Sequence, residues 1–244
     1  MLTTVEAPAA ERVRTPRRRV PLPPVGIGLA ATAVLLETVG YVGRLTGATG
    51  PVARALSMDA PWSAPRTFVA ALFAVAAVAA VAGAARVPAR RAWWLAVGLV
   101  CAGIAVVKAG ATVHVELMTA LETAVGGTGA VVSAVALAAG VLAVLAFISR
   151  AERRDRRRVL GSLTAYAVAS VGLSAVSVVA VGQWAVTATY LEESGEALAG
   201  VAVLVAVLVG VAPRLVLPAS WVLRRAEDAE TLAVPRDLPT TARR

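Results

Sequence analysis

One residue type is nearly absent from this chain, and its single occurrence is the best starting point for chemistry. Lys108 is the only lysine among 24 Lys and Arg residues, and it lies inside an apolar run. An ionisable side chain in such a run is a functional hypothesis by default, because a charge in hydrocarbon costs at least ~2.5–3.5 kcal/mol. Lysine can give up its proton on desolvation, whereas arginine effectively cannot. The competing reading is structural. Lys108 lies about four to six residues from the end of its run, roughly 6–9 Å at 1.5 Å per residue, so its stem could reach the headgroups.

Glu37 is the second charge set in an apolar run. Tyr41 and Arg44 follow it at i+4 and i+7 on the same helical face. A local pairing with Arg44 therefore competes with a contact to Lys108, whose depth it shares. Glu192, Glu193 and Glu196 cluster on one helical arc. Three carboxylates can hold a cation or share protons. The favoured reading is plainer: acids in the first turn of a helix that complement its dipole and face solvent.

A hydroxyl stripe, Ser162, Tyr166, Ser170, Ser174 and Ser177, follows helical spacing, and Gln183 and Thr187 continue its polar character. Small polar residues usually serve helix–helix approach, and a polar path toward the acidic cluster is the alternative. On a third helix that continues past residue 113, Lys108, Thr112, Val115, Thr119 and Glu122 would share a face with Glu116 at its margin. No metal site is expected from the single His114 with scattered carboxylates, and one histidine excludes bis-histidine haem within the chain. Cys101 has no disulfide partner and reads as a small hydrophobe. There is no phosphate-cradling loop, no HExxH and no GxSxG, so no cofactor is expected.

These residues need elements to hold them, and composition says which. Of 244 residues, 58% are hydrophobic, with mean hydropathy +0.75, and the apolar residues fall in long blocks. Blocks of about 20 residues are what a bilayer-spanning helix requires. The expected fold is an all-α integral membrane protein, a six-helix transmembrane bundle with spans at about 25–43, 67–85, 93–113, 130–148, 159–182 and 196–217. Trp93 and Trp94 suit an aromatic belt at the headgroups. A signal peptide competes for the first block, which is too long for one and reads as a retained helix. Residues 1–23 and 224–244 read as disordered tails.

The net charge of +9 is topological, with no sign of nucleic-acid binding. Twenty arginines fall in the tails and loops of one side, against Arg44, Arg54 and Arg66 on the other. The positive-inside rule then puts both termini in the cytoplasm (N-in/C-in) of a plasma or inner membrane protein. Arg12, Arg14, Arg17, Arg18 and Arg19 would attract anionic lipids. The expected partners are the bilayer and another membrane protein or a second copy.

Two functions compete. The first is handling of a small ion, proton or solute at an outward-facing polar pocket built from Lys108, Glu37, Gln183, Glu192, Glu193 and Glu196. The second is a non-catalytic role, with the charges locking helices or docking a partner. A membrane enzyme ranks third, because no nucleophile–base pair can be named.

Overall fold

The computed structural model describes residues 23–150, 153–174 and 181–217. Helix α1 spans Pro24–Leu45, α2 Pro51–Ala55, α3 Ala64–Arg86, α4 Arg91–Ala109, α5 Val113–Ile148, α6 Arg153–Ala167 and α7 Gln183–Val211. A π-helical segment, Val168–Leu173, extends α6. No strand occurs among the described residues. Five helical stretches there are long and apolar enough to cross a bilayer: Pro24–Leu45, Ala64–Arg86, Pro88–Ala109, Glu116–Ile148 and Trp184–Val211. The expected tails, including Arg12–Arg19, lie outside the described residues, as does Ser177.

Local chemistry explains the boundaries. Proline in the first turn opens α1 and α3, where its missing N–H leaves no bond unmade. Helix α4 ends on Gly110 at φ 111°, a left-handed conformation that glycine adopts without strain. There the Ala111 N–H bonds the Val106 carbonyl at 3.2 Å and the Gly110 N–H bonds Val107 at 3.2 Å. This stop corrects the expectation of a third helix running on toward Glu122. A separate helix begins at Val113, so Lys108 and Thr119 share no face. Helix α5 is itself broken at Gly126, and Glu116 and Glu122 are exposed on its first half.

The core is built around α7, which packs on α1, α3, α6 and the π segment, while α3 and α4 form the closest pair. Small residues allow this. Gly98 of α4 lies against the Ala77 carbonyl and Ala80 of α3, and Gly200 of α7 lies against the Phe73 ring. Trp93 and Trp94 are buried. This differs from a headgroup belt facing lipid, because Gly210 of α7 leaves room for the Trp94 indole between helices.

The bundle has two distinct ends. At the arginine-rich end, Arg90 donates to buried Asp155 at 3.0 Å, tying the turn after α3 to the start of α6. The opposite end carries the 46–63 loop with α2 and the 110–112 turn. It will be called the loop end.

Candidate functional site

Near the loop end, Lys108 occupies the last turn of α4, and its position is set from the backbone outward. Arg66 of α3 donates through Nε to the Lys108 carbonyl at 3.4 Å and through Nη2 to the Val107 carbonyl at 3.3 Å. A guanidinium thus supplements the cap of the α4 C-terminus, where the Val107 carbonyl already accepts from the Gly110 N–H. Arg66 is expected from the sequence only as one of three basic residues on its side. Its capping role depends on α3 beginning beside the end of α4.

The Lys108 side chain crosses to α7. Its ammonium donates to Glu193 Oε2 at 2.8 Å and forms a second ion pair with Glu196. Lys108, Glu193 and Glu196 are 5%, 6% and 4% exposed, so the trio is closed to solvent. Burial of this kind does not fit a lysine reaching for headgroups. The three acids do not sit in a first helical turn either, since α7 starts at Gln183 and places them well inside the helix. The expected start of the last helix near residue 196 is corrected accordingly.

Glu37 is 1% exposed, and its Oε2 is buried without a hydrogen-bond partner. The charges of Glu193, Lys108, Glu196 and Asp59 all act on it. No ion pair joins it to Lys108, whose partners are Glu193 and Glu196. Arg44 does not pair with it either, being engaged with Asp59 at 2.9 Å. Glu37 is therefore a near neighbour of the cluster and not its first partner. The seam between α1 and α7 at this depth is polar: Thr38 bonds Tyr190 and Tyr41 bonds Thr187, each at 3.1 Å, and Tyr41 stacks on Tyr190 with centroids 4.6 Å apart.

The hydroxyl stripe divides by function. Tyr166 meets Phe73 edge-on, with ring centroids 4.8 Å apart. Ser174 donates to Glu192. Ser162 and Ser170 bond back to their own helix instead, Ser162 to Arg158 and Val159 and Ser170 to Ala167. A continuous polar path along α6 is absent from the described residues. The π segment bonds i→i+5, with more residues per turn, and so shifts the phase of Ser174 relative to Ser162. Gly195 of α7 packs closely on this turn, 3.2 Å from Ala169 Cβ as a Cβ would stand. The side chains of His114 and Gln183 are not among those described.

An open groove of about 1000 Å³ lies at the loop end, lined by residues of α1 and of the 48–63 segment. It does not contain Lys108, Glu193 or Glu196, so the expected outward-facing pocket around the charges is a closed cluster beneath a separate groove. Among the described residues, no group of three His, Cys, Asp or Glu side chains converges to hold a metal ion.

The chemistry follows from charge balance. Three buried carboxylates, Glu37, Glu193 and Glu196, face one buried ammonium. The nearby guanidinium of Arg66 is spent on carbonyls. With all groups ionised, the apolar interior would hold uncompensated negative charge, at a cost of several kcal/mol per ion. The arrangement is thus suited to take up protons or a small cation. No family model, curated protein or solved structure matches this chain.

Proposed function

We propose that this chain is a multi-pass membrane protein with six spans and both termini cytoplasmic, in the plasma or inner membrane. Its role is to move or sense a proton, small ion or solute through the cluster of Lys108, Glu193, Glu196 and Glu37. The membrane assignment draws on the five apolar helices, with residues 153–174 supplying the sixth leg between α5 and α7. The orientation draws on the arginine count of the loops. A reporter that works only outside the cytoplasm should stay silent when fused after Arg244. An active reporter would mean an odd number of crossings and defeat the six-span reading.

The observation that carries the function is a lysine ammonium held between two carboxylates inside the bundle, with a third carboxylate lacking a hydrogen-bond partner beside it. Lys108→Met tests it. In proteoliposomes with an internal pH dye and imposed Na⁺, K⁺ or H⁺ gradients, flux per assembled molecule should vanish. Flux equal to that of the unaltered chain would end the reading. The second reading, charges that lock helices or dock another membrane protein, draws support from the closure of the cluster. Enzymatic activity ranks third, because no motif in the sequence names a nucleophile with its base.

A further inference from the structure

Met58 follows Leu56 and Ser57 of the loop-end groove and packs on Gly40, which also lines it. Arg44 and Ser63 line the same groove. Met58 itself is buried, pressed onto α1 where Gly40 leaves space. A Cβ at position 40 would stand 2.6 Å from the Leu56 carbonyl oxygen and 2.8 Å from Met58 Cγ, so only glycine lets this segment seat. One turn further in on the same buried face of α1 is Glu37, with its unpartnered Oε2. Groove, Met58, Glu37 and the Lys108 cluster thus follow one another inward.

Two contacts hold the segment down, one exposed and one part-buried. The Asp59 carboxylate accepts from Arg44 at 2.9 Å and from the Ser57 hydroxyl at 3.0 Å. The Asp59 carbonyl accepts from Arg66 at 3.2 Å, and the same guanidinium caps the helix end that carries Lys108. The Arg44 and Asp59 side chains are 41% and 38% exposed, so water screens their attraction and the latch is weak enough to open. The neighbouring α1–α7 seam is shut by the Tyr41–Tyr190 stack and its two hydroxyl bonds.

We propose that residues 56–63 form a gate at the loop end, with Met58 as the plug and Asp59 as the latch. Lifting it connects the groove to Glu37 and admits water with protons or a small cation to the buried carboxylates. This deepens the reading of the cluster as an exchange site, on which it rests, by naming the route and the element that controls it. The Met58 side chain is apolar and pliable, which lets it seal against glycine and withdraw with no hydrogen bond of its own to break.

The test needs no transport substrate, so it can fail or succeed independently of the flux assay. In full-length protein in nanodiscs, Cys101→Ala with Glu37→Cys leaves one thiol at the carboxylate position. Its modification by a small, positively charged methanethiosulfonate reagent reports access. Adding Met58→Ala or Asp59→Asn should speed modification at least about tenfold, because each shifts a closed–open equilibrium toward the open state. Asp59→Asn alters a surface residue, so it guards against a fold defect in the Met58 variant. Arg90→Gln, which cuts the ion pair at the opposite end, should leave the rate unchanged. Modification accelerated by Arg90→Gln, or unaffected by both loop variants, would overturn the gate.

Discussion

Trp94→Ala is expected to lower the stability of the purified protein by about 3–5 kcal/mol, the usual cost of deleting a buried indole. The ring is buried between α3, α4 and α7. A Cβ at Gly210 would stand 2.4 Å from Trp94 Cη2, and one at Gly83 would stand 3.8 Å from Cγ. Gly210 thus leaves a slot for the indole and has no side chain of its own to fill the cavity that truncation would open. Equilibrium unfolding in mixed micelles of increasing denaturing detergent measures the loss. A change below about 1 kcal/mol would mean that the indole faces lipid, as a belt residue would, because exposed substitutions rarely cost more.

Lys108→Met is expected to cost about 3–5 kcal/mol, because it leaves Glu193 and Glu196 buried without their cation. Glu193→Gln and Glu196→Gln introduced together into that variant should recover most of the loss, since a neutral set of similar volume carries no uncompensated charge. The same unfolding assay reads both effects. Flux separates function from structure. If the cluster handles an ion, the triple variant is stable and silent. If it regains stability and flux together, the charges serve only to lock α4 to α7, and the cluster is not the site that handles the ion.

Much of the framework is legible in the chain itself. Apolar blocks of bilayer length, the arginine asymmetry and Lys108 as an isolated charge in an apolar block are local properties, readable without knowing any neighbour. The end of α4 is also written locally, in Gly110, although a continuous apolar and uncharged stretch hides it from a hydropathy reading. The choice of partner for Lys108 is not local. Glu37, Glu193 and Glu196 sit at comparable depth on different helices, and only the packing of α7 at the centre of the bundle brings the last two to the ammonium. The same holds for the acidic cluster. Its role turned on α7 beginning at Gln183, a boundary that weakly polar residues such as Thr187 and Thr189 do not announce. Burial of Trp94 depends on Gly210, distant in sequence and matched only in space. The phase of the serine stripe depends on a π turn that fits against Gly195. The sequence by itself determined which segments are apolar and which polar groups they carry, because transfer free energy belongs to each residue. Tertiary structure alone decided which of those groups meet, because pairing in a bundle depends on helix order, rotation and register.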